Sequence, residues 1–182
     1  MIRGKTHQRG MAMELQGPRG AEIIAAFKQA GVGIVAALPD IWTSQGLLWP
    51  LSRDTDIRLL RVCKEDEGIS ICAGLSFCDQ RAVMLMQYTG LLDSINNIRA
   101  SAVDYKLPVC MVVGLLQKEP DKKPTDSKRY GIRIVEPILD AMGVDRILIE
   151  GSEDVALLPP AIDKAYATSR PMAALIGREV RE

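Results

Sequence analysis

Histidine is nearly absent: the 182 residues contain one, His7. A serine or cysteine nucleophile in the body of the chain therefore has no histidine base, and a zinc centre has too few ligands. The four cysteines, Cys63, Cys72, Cys78 and Cys110, form no C-x-x-C pair and are expected as reduced thiols in a cytosolic core. Net charge is also absent, with 23 basic and 23 acidic side chains, which argues against nucleic acid as a partner and does little to keep copies apart. No apolar run approaches the ~20 residues of a membrane span. The first ten residues carry Arg3, Lys5 and Arg9 with no acid and no apolar core, so they do not read as a secretory signal. Residues 1–17 are expected as a flexible tail, with Met11 or Met13 as alternative starts, and the location as cytoplasmic. There is no Walker-type phosphate loop, no dinucleotide fingerprint after a strand and no G-x-S-x-G elbow.

What is present is alternation. Continuous apolar runs at 34–38, 57–62, 82–86, 108–114, 146–149 and 172–176 read as strands buried on both sides. Helical patterns fall between them, at 18–30, 41–51, 65–78, 93–105, 134–142 and 154–168. Gly31 and Gly143 stop two helices, Pro50 is expected to break a third, and the pair Pro159-Pro160 to delay the start of the last. Asp93 is expected as an N-cap, with Ser94 the alternative. Residues 117–129, rich in Lys, Asp and Pro, read as a mobile surface loop. The fold class that follows is α/β: three αβα layers around a mostly parallel sheet of about six strands, in one domain over 18–182.

Two junctions at the carboxyl ends of strands form one candidate site, where such folds bind ligands. The first is Glu65-Asp66-Glu67-Gly68-Ile69-Ser70-Ile71-Cys72-Ala73-Gly74, an acidic start to a helix of small residues. A carboxyl held there can have its proton affinity tuned for chemistry, although an acid in a first turn is equally what the helix dipole favours. Asp66 and Glu67 point elsewhere. The second junction is Gln87-Tyr88-Thr89-Gly90-Leu91-Leu92-Asp93-Ser94-Ile95-Asn96-Asn97, a helix start that can hold an anion or a polar ring, or simply a capped turn.

The two motifs, over residues 62–114, resemble the pyrimidine-binding (Pyr) domain of thiamine-diphosphate-dependent decarboxylases. The family places a glutamate nine residues before a glycine, as Glu65 stands to Gly74, and a Q-N-S-G-L-G-N-S-I-N-like stretch after a strand, similar to 87–96. The nearest likenesses are the sulfopyruvate decarboxylase alpha subunit and the amino-terminal part of phosphonopyruvate decarboxylase, over about 22–176. The resemblance implies a lyase subunit acting on a 2-oxo acid such as sulfopyruvate, in coenzyme M biosynthesis. It implies Glu65 as the catalytic residue, sharing a proton with N1′ of the cofactor's aminopyrimidine. Gln87, Thr89, Gly90 and Asn96 would line the cofactor, with Tyr88 and Lys118 near the substrate, and no metal ligand on this chain. The G-D-G…N-N motif that holds diphosphate and Mg2+ in the family is missing. The resemblance thus implies a separate diphosphate-binding (PP-domain) beta subunit carrying the magnesium, thiamine diphosphate shared across a hetero-oligomeric interface, self-association through the Pyr domain, and an apolar patch on one face. The sequence departs from the family at Tyr88-Thr89, Leu92, Asp93 and 115–120. Two other readings stand beside it: a Pyr-like partner subunit without catalysis, and a flavodoxin-like ligand-binding domain in which Glu65 is only a helix-start acid.

Overall fold

The computed structural model describes residues 16–182. Most of the expected tail, with His7, Met11 and Met13, lies outside them; its end is held, since the Arg181 guanidinium donates to the Gln16 side chain and the Gly17 carbonyl.

Helix α1 (Gly20–Gln29) buries Ile23, Ile24 and Phe27 and ends at Gly31, whose φ of +69° suits a residue without Cβ. Strand β1 (Ile34–Ala37) follows, then a helical stretch α2 (41–51) whose middle, Ser44–Leu48, is π-helical. Pro50 does not break α2 as expected. It lacks the N–H an α-helix requires there, and the wider turn just before it, with the Trp49 N–H bonded to the Ser44 carbonyl, absorbs the irregularity. Strand β2 (Arg58–Arg61), α3 (Glu65–Phe77) and β3 (Ala82–Gln87) come next.

The helix after β3 begins five residues earlier than the sequence suggests. Helix α4 (Tyr88–Asp93) starts directly at the strand end, is interrupted at Ser94, and resumes as α5 (95–104), largely π-helical over Ile98–Asp104. Asp93 is therefore the last residue of α4 and not an N-cap; its carboxylate pairs with Lys64 at 3.1 Å. Ser94 caps nothing with its side chain. Strand β4 (Cys110–Gly114), α6 (Tyr130–Arg133), α7 (Val135–Ala141), β5 (Asp145–Ile149), α8 (Leu158–Thr168) and β6 (Met172–Ile176) complete the chain. Pro159 and Pro160 sit in the first turn of α8, behind a short 3-10 turn, as the delayed start requires.

The six strands form one parallel sheet in the order β2-β1-β3-β4-β6-β5. Alternate residues of the central strands enter opposite cores. Val83 and Leu85 join Phe27, Leu47 and Ile162 of α1, α2 and α8. Met84 and Met86 join Ile69, Leu91, Ile98 and Leu139 of α3, α4, α5 and α7. The architecture is thus the three-layer αβα fold expected, with every strand pair parallel. No described helix is long and apolar enough to cross a membrane. Only Cys72 and Cys110 are core thiols, pushed up to about 12 by burial; Cys63 and Cys78 are exposed.

Candidate functional site

The strand order reverses between β1 and β3. The connection from β1 crosses one face towards β2, and that from β3 crosses the other towards β4. The connections leaving the carboxyl ends of these two strands therefore part, and the crevice between them is the position where open parallel sheets take ligands.

On one side of it stands Glu65, the first residue of α3. The three acids of that turn have different fates. Glu67 reaches back past the N-cap residue Lys64 and accepts the Cys63 N–H at 2.8 Å. Asp66 accepts the Glu67 N–H at 2.9 Å and lies 3.6 Å from the Lys64 ammonium. Glu65, half-buried, makes no hydrogen bond or ion pair among the described residues. Its carboxyl lies against Gly90: a Cβ built on that glycine falls 2.3 Å from Oε1 and Cδ. The two sequence junctions thus meet at one contact, and Lys64 clamps them by pairing with both Asp66 and Asp93. Those carboxylates hold its ammonium above the usual lysine range, Asp93 first.

Gln87 turns the other way. Continuing the alternation of β3, its side chain falls on the α2 side, where Nε2 donates to Asp40 Oδ1 at 2.8 Å and Oε1 accepts the Thr89 hydroxyl at 2.8 Å. Asp40 follows β1 and is 4% exposed; its Oδ2 accepts the Thr43 hydroxyl at 3.2 Å. Gly114, ending β4, leaves room for this carboxylate, since a Cβ there would lie 2.3 Å from Oδ2. Asp40 is not among the site residues expected from the sequence. The usable signal was an acid directly behind Pro39 at the carboxyl end of a buried strand.

The other expected residues divide. Tyr88 is half-buried with its ring against Gly131, so it joins α4 to α6 at the rim of the crevice. Asn96 is exposed and its amide oxygen accepts from Arg99; the neighbouring Asn97 is the one that bonds α3, through Ser70 Oγ at 2.9 Å. Ser94 has a buried hydroxyl with no hydrogen-bond partner among the described residues. Lys118 is not on a mobile surface. Its side chain is fully buried, its ammonium donates to the Glu119 carbonyl at 2.9 Å and it pairs with Glu150 behind β5. The rest of 117–129 is tied down too. Glu119 accepts the Ser127 hydroxyl at 2.7 Å and the Lys128 N–H at 3.0 Å, and these bonds hold its carboxyl down at about 2. Lysine, proline and aspartate density marks surface-seeking residues, but it does not reveal that a buried lysine paired with Glu150 and a carboxylate staple fix both ends of the segment.

Fold and crevice together define an αβα protein of the parallel-sheet class with two carboxylates, Glu65 and Asp40, on either side of one strand-end opening. No family model matches the chain. Its sequence is similar to a sulfopyruvate decarboxylase of Methanosarcina acetivorans, 28% identical over 163 residues, which is 88% of this chain and 40% of that protein. It is similar to the alpha subunit of sulfopyruvate decarboxylase of Methanococcus maripaludis, 32% identical over 91 residues, 50% of this chain and 54% of that subunit. The corresponding alpha subunit of Methanocaldococcus jannaschii is 24% identical over 158 residues, covering 84% of this chain and 89% of the relative. The chain is therefore sulfopyruvate decarboxylase alpha-like in sequence, as the two motifs indicated. It spans about half or less of the length of the first two relatives.

Proposed function

We propose that this chain is the pyrimidine-binding alpha subunit of a thiamine-diphosphate-dependent decarboxylase of a 2-oxo acid, sulfopyruvate-like, completed by a beta subunit that holds the diphosphate and Mg2+. The observation that carries the reading is that Glu65 alone of its acidic triplet has no partner within the described protein, while its carboxyl is pressed onto a glycine at the switch-point crevice. A half-exposed acceptor on a rigid helix start suits a ring nitrogen that must gain and release a proton, and the glycine leaves room for the carboxyl itself.

Bound here, thiamine diphosphate would supply a ring carbon that is nucleophilic once deprotonated and a cationic ring able to accept the electron pair left as carbon dioxide departs. The chain's own part is proton handling and placement. Glu65 holds a proton at the pyrimidine N1′, and Gly90 and the Lys64 clamp fix where its carboxyl sits. Asp40, enclosed and bonded on both oxygens, backs the far wall of the crevice. The alpha-subunit names of the relatives support a partner chain.

The test is co-expression with a diphosphate-binding subunit. Carbon dioxide release from sulfopyruvate, with thiamine diphosphate and Mg2+, is expected only with both chains. Glu65→Gln should lower it by at least ~10²-fold, the scale of general acid–base catalysis. Full activity in that variant removes the assignment.

A further inference from the structure

Asp40 stands where an aspartate ordinarily caps a helix, at the residue before α2, yet its side chain makes no cap bond. The carboxylate turns inward instead. It is 4% exposed, and the groups that touch it are uncharged: Thr43 on α2, Gln87 on β3 and the Gly114 backbone on β4. A buried carboxylate without a cation is costly, and an apolar side chain or an amide would fill the space at lower cost. The bonds leading to it have one direction. Exposed Thr89 donates to Oε1 of half-buried Gln87, which turns Nε2 towards Asp40, and Nε2 donates to Oδ1. A flipped amide would set two acceptors against each other. The track runs from solvent to the crevice wall and ends on an acid.

We propose that Gln87 and Thr89 are positioning residues that hold the enclosed Asp40 carboxylate in place at the wall of the β1/β3 crevice. The proposal rests on the reading of that crevice as the reaction site. Thr89 fixes the orientation of the amide, the amide fixes the carboxylate, and Gly114 leaves the carboxylate its room. The ionisable side chains on the neighbouring connections include Glu65, Tyr88, Asp93, the Glu150-paired Lys118, Glu119 and Glu179, and none of these bonds to Asp40.

The decisive variant is Gln87→Glu, which matches the amide in shape. Ionised, the introduced carboxyl opposes Asp40 across one hydrogen-bond distance, and the pair must take up a proton to fold. Protonated, it donates to Asp40 as the amide does. A carboxyl whose folded-state affinity for protons is raised stabilises at low pH and loses that contribution as pH rises. The melting temperature of the full chain should therefore fall further below wild type between pH 5 and pH 8, by on the order of 5 °C. In the complex with the beta subunit, kcat of this variant should drop at least tenfold at pH 7.5 and recover below pH 6, while Gln87→Ala shows no recovery. Thr89→Val should lose about tenfold in kcat with KM changed less than twofold, and Thr89→Ser should regain most of it. A melting difference that does not vary with pH overturns the proposal. So does a pH–rate profile superimposable on wild type in a complex that Glu65→Gln inactivates. If Glu65→Gln is itself fully active, the functional reading fails instead, and the melting series still decides the network.

Discussion

A methyl group at position 90 has nowhere to go except into the Glu65 carboxyl, and at position 114 nowhere except into that of Asp40. The two collisions differ in consequence. Glu65 is the far end of a flexible, half-exposed chain and can swing aside, so Gly90→Ala should leave the melting temperature nearly unchanged. The same swing moves the proposed proton carrier, and activity of the complex should fall on the order of 10²-fold, the scale of a misplacement of about 1 Å. Asp40 is enclosed and bonded on both oxygens, so Gly114→Ala should cost about 1–3 kcal/mol of stability by overpacking, measured by denaturant unfolding. Equal stability losses at both glycines would remove the distinction drawn between the two acids. At this scale the sequence was informative about Glu65, because a helix start after a buried strand is a local pattern. It was silent about the Asp40–Gln87 bond, which joins residues 47 apart through strand order alone.

Between elements, two contacts hold the segment after β4, and each has a measurable signature. Lys118 and Glu150 tie the connections that leave β4 and β5. Removing the acid strands a buried ammonium, so Glu150→Ala should destabilise by up to about 3 kcal/mol, Glu150 being partly exposed. Lys118→Met combined with Glu150→Leu should recover most of the loss. A double variant as unstable as the single one would show that packing, not the uncompensated charge, sets the cost. Glu119 is the second anchor. Its carboxyl titrates near 2 in the fold against an ordinary 4.5, because the Ser127 hydroxyl and the Lys128 N–H favour the ionised form. A lowered folded value contributes stability above the unfolded value that is lost as pH falls through the folded one. Glu119→Gln should thus melt below wild type at pH 6, with the gap closing between about pH 4.5 and 2. Packing decides the start of α4. Propensity favours Asp93 as a cap, yet the helix begins at Tyr88, because burying Leu91 against Ile69 of α3 outweighs a cap preference of about 1 kcal/mol.

At the scale of the whole molecule, the exposed large apolar side chains of the described residues do not gather on one face. Ile41 and Tyr130 stand at the carboxyl edge beside the crevice, whereas Phe77 and Tyr105 sit at the far ends of α3 and α5. The first pair suits the proposed subunit contact; the second lies away from it. Thiol chemistry tests the layer assignment directly. In the isolated folded chain, Cys63 and Cys78 should react with a thiol reagent while Cys72 and Cys110 stay protected, and all four should react after denaturation. Labelling of Cys72 in the folded chain would contradict the packing of α3 on the sheet.

Periodicity and composition by themselves determined the αβα architecture, the parallel strands, the glycine stops and the meeting of an acidic helix start with a glycine-bearing turn. Each of these is written in neighbouring residues, as continuous apolar runs and short spacings. Only the tertiary structure decided which acids are enclosed, that Gln87 serves Asp40 and not Glu65, and that Lys118 is interior. Burial and hydrogen-bond partners depend on which strands lie side by side, and the order β2-β1-β3-β4-β6-β5 is set by long-range packing that no local window contains.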